Sequence, residues 1–118
     1  MSEVFVVSKE IVSRTGIFAD VKVGSLLFLS GLLGDTSADV PTQITQILEK
    51  VKAKLEAAGS SMRNVVKATV YLRDIADRER YLNAIWQKYF SESPPARTTV
   101  QVGLGAAAVE IDVIAVVP

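Results

Sequence analysis

Apolar side chains recur every three or four positions through residues 39–58, with charged and amide side chains between them. This spacing predicts an amphipathic helix with one buried face. Asp39 is a suitable N-cap ahead of Pro41, and Gly59 can end the helix in a left-handed conformation. The apolar positions of the predicted helix are Ile44, Ile47, Leu48, Val51, Leu55 and Ala58.

A second apolar stripe with helical spacing follows later in the chain and predicts another helix. Asp77 is its expected N-cap, and the helix should end before Ser91 because the proline pair at 94–95 disfavours helical backbone ahead of it. The shared stripe places its aromatic residues in the core rather than against a nucleic acid base. The stripe consists of Leu82, Ile85, Trp86, Tyr89 and Phe90.

Strands are predicted on both sides of these helices. Residues 65–74 alternate apolar and polar side chains, the period-two pattern of a strand with one buried face. The apolar side chains of that strand are Val66, Ala68, Val70 and Leu72. Shorter β-branched or apolar runs predict the other strands, which lie at residues 4–7, 19–23, 26–29, 97–102 and 109–117.

The predicted order of elements is β-β-β-α-β-α-β-β, and a chain of 118 residues suits a single domain, residues 1–118. This order predicts an α+β fold in which two helices pack on one face of a mixed β-sheet. The second face is then either polar or buried against another copy of the chain. Because residues 114–117 are apolar on both faces of the last strand, self-association is favoured.

Composition narrows the chemistry that such a domain can perform. Thirteen Lys and Arg balance thirteen Asp and Glu, so the chain lacks the basic field that attracts nucleic acid or an anionic membrane. The absence of Cys and His excludes disulfides, thiol nucleophiles, Cys/His zinc sites and Ser-His-Asp triads. Hydroxyls, carboxylates, Lys, Arg and backbone dipoles remain, and we expect neither a metal nor a cofactor.

The amino terminus and the lengths of the apolar runs bear on the expected cellular location of the protein. Glu3 follows the initiating residues at once, so the basic region of a secretory signal is missing. The apolar runs at 26–29 and 113–117 are far shorter than the ~20 residues that span a bilayer. We therefore expect a cytoplasmic protein without a membrane partner.

Arg97 and Glu110 are the leading candidates for chemistry. A stiff proline-containing loop presents Arg97 at the start of a strand, where its guanidinium could hold a carboxylate through two parallel hydrogen bonds. Glu110 stands between apolar neighbours in the last strand and could act as general base or acid toward water. Structural interpretations remain open for both: a surface Arg or an ion pair with Glu110 or Asp112, and a solvent-exposed Glu.

Two glycine-containing segments have weaker signals. Ser30 and Gly31 close the third strand, where a hydroxyl and a glycine amide could orient a small polar group. A turn without function explains this pair equally well. Gly103 and Gly105 lack the wider spacing and the following helix of a dinucleotide fingerprint, so they predict a hairpin loop.

Several short motifs occur together in this chain. They are Leu29-Ser30-Gly31, the strand at 66–74, Asn83, Pro95-Ala96-Arg97-Thr98 and Val109-Glu110-Ile111. In combination they resemble the RidA (YjgF-like) family of enamine and imine deaminases. The resemblance extends from about residue 16 to residue 117 and is most specific in the spacing from Pro-Ala-Arg to Glu-Ile.

This resemblance implies a chorismate-mutase-like fold that assembles as a homotrimer with clefts between neighbouring subunits. In that family pattern Arg97 would bind the substrate carboxylate, Glu110 would position and activate water, and Ser30 would complete the catalytic set. The implied substrate-binding residues, besides Arg97, are Phe18, Gly31, Leu32, Asn83 and Thr99. Phe18, Leu32 and Thr99 replace the Tyr, Gln and Cys that are frequent in the family, which predicts an altered pocket.

The implied reaction is the hydrolysis of a 2-enamino or 2-imino acid to a 2-keto acid and ammonia, which needs positioning and proton transfer but no metal. An aminomuconate-type deaminase in a catabolic pathway is the nearest alternative. Two further alternatives belong to other classes: a non-catalytic ligand-binding or holdase-like protein, and a single-strand RNA endonuclease or translation inhibitor. The zero net charge disfavours the RNA-directed role.

Overall fold

A computed structural model describes residues 8–118, and its strands and helices follow one another in the predicted order. A short 3₁₀ turn precedes β4, and a π-helical turn over Arg78–Leu82 leads directly into α2. The elements are β1 (Glu10–Thr15), β2 (Phe18–Val23), β3 (Leu26–Leu32), α1 (Val40–Ala57), β4 (Val65–Leu72), α2 (Asn83–Phe90), β5 (Ala96–Gln101) and β6 (Val109–Val116).

The six strands form one sheet in the order β1-β2-β3-β6-β4-β5. β4 and β5 are parallel, whereas the other neighbours are antiparallel, so the sheet is mixed. Both helices pack on the same face, and the core between them and the sheet contains Leu27, Ile47, Val70, Leu82 and Ile111. The predicted α+β architecture is confirmed.

Local signals explain the limits of α1. The Asp39 side chain accepts a hydrogen bond of 2.9 Å from the backbone N–H of Thr42, and Pro41 lies in the first turn. Gly59 adopts a φ of 81° just beyond the last turn, a left-handed conformation that other residues rarely adopt. Both predicted ends of the helix are confirmed.

The prediction for β4 is correct except at one residue. Ala68, Val70 and Leu72 are buried as predicted, but Val66 is 47% exposed and Val65 is buried instead. The pairing of β4 with β6 shifts register between Val65 and Lys67, so the alternation starts one position out of phase. The placement of Val66 on the buried face was therefore wrong.

The first predicted strand and β1 do not coincide. Residues 4–7 lie outside the described residues, and the prediction for them has no structural counterpart to compare. β1 itself was missed because all six of its residues are exposed and its apolar pair, Ile11 and Val12, stands side by side rather than alternating.

The prediction that Asp77 caps the second helix was also wrong. Asp77 already has helical backbone angles, and its side chain makes no capping hydrogen bond. Asp74, three residues earlier, stabilises the turn that precedes the helix, because its carboxylate accepts a hydrogen bond of 3.0 Å from the backbone N–H of Ala76. Asp77 is buried and lies 3.6 Å from Arg80.

The second face of the sheet carries no helix within the described chain. Its side chains include Tyr71, which donates a 3.0 Å hydrogen bond to Asp112, and half-exposed apolar residues such as Phe28 and Ile114. The bond to Asp112, followed by burial, raises the pKa of Tyr71. No helix among residues 8–118 is long and apolar enough to cross a membrane.

Candidate active site

Arg97 lies at the start of β5 on the face that the helices cover. It pairs with Ala68, and its Nη2 donates a 2.7 Å hydrogen bond to Oδ1 of Asn83 at the start of α2. Its guanidinium carbon stands 5.1 Å from the ring centroid of Trp86, a cation–π distance. Burial lowers the pKa of Arg97, and the charge of Arg78 adds to that effect.

The surroundings of Arg97 leave it free to bind an anion. Within the described chain its side-chain hydrogen bond goes to Asn83, while a guanidinium carries five N–H donors. Within one chain, an ion pair of Arg97 with Glu110 or Asp112 is excluded, because both carboxylates lie on the opposite face of the sheet. The cleft beside Arg97 has a volume of about 340 Å³ and is lined by Asn83, Trp86, Gln87, Phe90, Ser91, Pro94 and Arg97.

Thr99 shares this face with Arg97, two residues further along β5. Its hydroxyl oxygen is buried and has no hydrogen-bond partner among residues 8–118. Buried hydroxyls are normally satisfied, so this group retains a donor and an acceptor for another molecule. The substrate-binding role that the family resemblance implies for Thr99 stays a prediction.

Glu110 lies on the uncovered face of β6, opposite Tyr71 of β4. Its carboxylate packs directly against Gly31: a Cβ on Gly31 would lie 3.0 Å from both Cδ and Oε2 of Glu110. Ser30 and Gly31 form a bulge, since the pairing with β6 runs from Leu29 directly to Leu32. The absence of a side chain at position 31 therefore lets the carboxylate approach the backbone closely.

Replacing Gly31 by alanine tests this close approach. The backbone of Gly31 lies outside the left-handed region, so alanine is accepted conformationally but must displace the Glu110 carboxylate by a few tenths of an ångström. We expect the fold to persist and kcat of the activity proposed below to fall about tenfold or more. Gly103→Ala is the matched control, because nothing lies within 4 Å of its added methyl group. Equal kcat values for the two folded variants would contradict the role of the Gly31–Glu110 contact.

A second cleft opens beside the bulge. It has a volume of about 380 Å³, and Phe18 of β2 stands at its edge with 63% of its surface exposed. The sequence-predicted residues Phe18, Ser30, Gly31 and Leu32 all line this cleft. The other lining residues are Ser13, Thr15, Asp20, Lys50 and Lys54.

The predicted site residues thus fall into two groups that one chain does not bring together. Arg97, Asn83 and Thr99 lie on or beside the covered face at β5, whereas Glu110 lies on the uncovered face of β6. Two strand spacings and a three-residue offset separate the Cα atoms of Arg97 and Glu110 by roughly 14 Å. A site that uses both groups must therefore combine two copies of the chain.

Sequence patterns missed part of both groups. Trp86 was assigned to the core, and it is buried, but its ring also supports the Arg97 guanidinium. Asp20 and Lys54 form a 2.7 Å ion pair behind Ser30 that joins β2 to α1. Helical spacing places Lys54 next to the apolar stripe of α1, but no local pattern signals that its partner is 34 residues away.

Other features of the described chain lie away from these groups. A cleft of about 880 Å³ runs between α1, α2 and the loop after β3, and none of the predicted site residues lines it. Among residues 8–118 no three carboxylates come close enough together to hold a metal ion.

A six-stranded mixed sheet with two helices packed on one face defines an α+β protein, and its predicted site residues are split between the two faces of that sheet. The family model described as Endoribonuclease L-PSP matches residues 9–117, so the chain belongs to this family, which is the YjgF/RidA family. The similarity therefore spans nearly the whole chain.

Individual relatives agree with this assignment. A RutC family protein of Pyrococcus horikoshii is 42% identical over 89 residues, which cover 70% of each chain. The 2-iminobutanoate/2-iminopropanoate deaminase of Escherichia coli is 34% identical over 105 residues, or 81% of each chain. The crystal structure of a YjgF family member from Neisseria meningitidis superposes with a TM-score of 0.85 at 27% identity, covering 93% of this chain and 95% of that one. The family thus includes imine deaminases.

Proposed function

We propose that this protein hydrolyses 2-imino acids and their 2-enamino tautomers to 2-keto acids and ammonia, in clefts shared between neighbouring copies. The observation that carries the proposal is the state of Arg97: a partly buried guanidinium fixed by Asn83 and Trp86, with most of its N–H donors lacking a partner among residues 8–118. Such a group suits a carboxylate. Deaminases of imino acids among the relatives support the reaction class.

Substrate binding in this proposal begins with the carboxylate. The planar fork of Arg97 meets both carboxylate oxygens, and the hydrogen bond to Asn83 fixes the orientation of the fork. The hydroxyl of Thr99, which has no partner within the described chain, is available to a polar atom of the same substrate. Binding thereby places the C=N carbon at a defined distance from groups of the neighbouring chain.

Glu110 of that neighbouring chain then acts on water. Its carboxylate accepts a proton from a water molecule as the oxygen attacks the C=N carbon, which gives a tetrahedral carbinolamine. Glu110 passes this proton to the nitrogen, then takes the proton of the new hydroxyl and delivers it to the same nitrogen, so that the C–N bond breaks, ammonia leaves and the keto oxygen remains. One imine and one water give one 2-keto acid and one ammonia, and Glu110 ends the cycle as it began.

The proposal is tested with 2-imino acids generated in place from amino acids by an amino acid oxidase. We expect the protein to accelerate the formation of the 2-keto acid above the rate of uncatalysed hydrolysis, in proportion to protein concentration. The uncatalysed reaction provides the baseline in each assay. A rate that remains at this baseline with folded protein and several imino acids would overturn the proposal.

The shared cleft requires a defined assembly, and we predict a homotrimer in solution. The two helices cover one face of the sheet, and the half-exposed apolar side chains of the other face include Phe28 and Ile114. A closed ring of three copies can bury that face with the same contact repeated. Multi-angle light scattering at micromolar concentrations should give three times the mass of 12.7 kDa. A monodisperse species at the monomer mass would contradict the shared cleft.

A further inference from the structure

Asp20 is a buried carboxylate at the meeting point of four elements. It is 4% exposed, and both of its oxygens are occupied. Oδ2 accepts hydrogen bonds from Ser13 Oγ at 2.5 Å and from Lys54 Nζ at 2.7 Å. Oδ1 accepts the backbone N–H of Ser30 at 2.9 Å. Asp20 on β2 is thereby joined to β1, α1 and β3.

Hydrogen bonds keep this carboxylate ionised. Burial raises the pKa of Asp20, but the hydrogen bonds from Lys54, Ser13 and Ser30 outweigh burial, and the pKa lies below its usual value. An ionised carboxylate accepts backbone N–H groups more strongly than a neutral group does. The bond to Ser30 is therefore one of the stronger tethers on this part of β3.

Few backbone contacts hold the segment that this bond restrains. The ladder between β2 and β3 stops at the pair of Val21 and Phe28. On the other side of β3, the pairing with β6 is interrupted between Leu29 and Leu32. Ser30 lies beyond the end of the β2–β3 ladder and within the interruption of the β3–β6 ladder. Its N–H therefore donates to the Asp20 side chain instead of a backbone carbonyl.

The position of this segment determines the surroundings of Glu110. Gly31 follows Ser30 directly, and a Cβ at Gly31 would lie 3.0 Å from the Glu110 carboxylate, so that carboxylate occupies the space that a side chain at position 31 would need. A shift of the bulge by a few tenths of an ångström would change this contact. The chain of contacts thus runs from Lys54 through Asp20 and Ser30 to Gly31 and Glu110.

We propose that Asp20 is a positioning residue for the deaminase site: through the backbone N–H of Ser30 it fixes the bulge against which Glu110 is aligned, and Lys54 holds Asp20 in place. This inference rests on the function proposed above. Asp20 itself touches neither the water nor the imine in this account. Its effect is on the rate of the step that Glu110 assists.

Variants of Asp20 separate positioning from simple stability. Asp20→Ala removes the acceptor for the N–H of Ser30, and we expect kcat to fall about 10- to 100-fold with a much smaller change in KM. Asp20→Asn keeps an acceptor oxygen and should restore most of kcat. Asp39→Ala is the matched control: it also removes a carboxylate from a backbone N–H, that of Thr42, but at the start of α1. It should destabilise the protein and leave kcat within about twofold of wild type.

Amide hydrogen exchange of Ser30 gives a readout that does not depend on activity. The N–H of Ser30 should be protected in the wild type, less protected in Lys54→Met, and least protected in Asp20→Ala. Across folded variants, protection of Ser30 and kcat should fall together. If Asp20→Ala does not fold, Asp20→Asn and Lys54→Met still test this relation.

Two results would overturn the inference. One is a folded Asp20→Ala protein with the kcat of Asp39→Ala, and the other is a Ser30 amide that exchanges in the wild type as fast as an unprotected one. The proposed function fails separately, since wild-type protein without deaminase activity would reject it whatever the exchange of Ser30 shows.

Discussion

Arg97→Ala is expected to lower kcat/KM for a 2-imino acid by roughly 30-fold to a few thousandfold, which corresponds to a loss of about 2–5 kcal/mol of transition-state stabilisation. The size follows from the site: Arg97 is partly buried over Trp86, so a carboxylate that it binds is shielded from water. Arg97→Lys keeps the charge but loses the bidentate hydrogen bonding to a carboxylate and the hydrogen bond to Asn83. Its kcat/KM should lie between those of the wild type and the alanine variant.

Arg63→Ala is the matched control for this measurement. Arg63 also pairs with a polar partner, Glu92 at 3.1 Å, but 72% of its side chain is exposed, and such pairs contribute little. Its kcat/KM should equal that of the wild type. An Arg97→Ala protein that folds, assembles as the wild type does and loses less than about threefold would show that Arg97 does not bind the carboxylate. An imino amide, which lacks the carboxylate, should be a poor substrate for the wild type.

Glu110→Gln is expected to lower kcat by about 10²- to 10⁴-fold while the fold and much of the substrate affinity persist. Glutamine has the shape of glutamate and fits against Gly31, but it cannot accept a proton from water. The main effect should therefore appear in kcat rather than in KM. Glu92→Gln, a change of the same kind at an exposed position, should have no effect on kcat. A folded Glu110→Gln protein with wild-type kcat would show that Glu110 does not act as the general base.

The sequence predicted those parts of the fold that depend on local patterns. The limits of α1 follow from Asp39 and Gly59, which act within one turn of the helix ends, and the burial of its face follows from spacing alone. β1 was missed because an exposed edge strand has no buried face to impose alternation. Val66 was misplaced because a register shift depends on the partner strand, which sequence spacing does not reveal.

For the candidate site, too, the sequence predicted which residues take part but not the contacts between residues that are distant in the chain. Motifs identified Arg97 and Glu110 as residues of one site, and the structure adds that they lie on opposite faces of one sheet. The link from Asp20 to Ser30 could not be predicted, because it requires a carboxylate on one strand to meet a backbone N–H on another at an interrupted ladder. Such contacts exist only once the sheet has formed.

The measurement that tests the central claim most directly is activity in mixed assemblies of Arg97→Ala and Glu110→Gln chains, co-expressed with different tags and purified through both. If each site takes Arg97 from one chain and Glu110 from its neighbour, one of the three sites in every trimer that carries both tags contains both native groups. We predict recovery of about a third of wild-type kcat per site, although each variant alone is nearly inactive. Activity in the mixture that does not exceed the average of the two separate variants would contradict a site shared between chains.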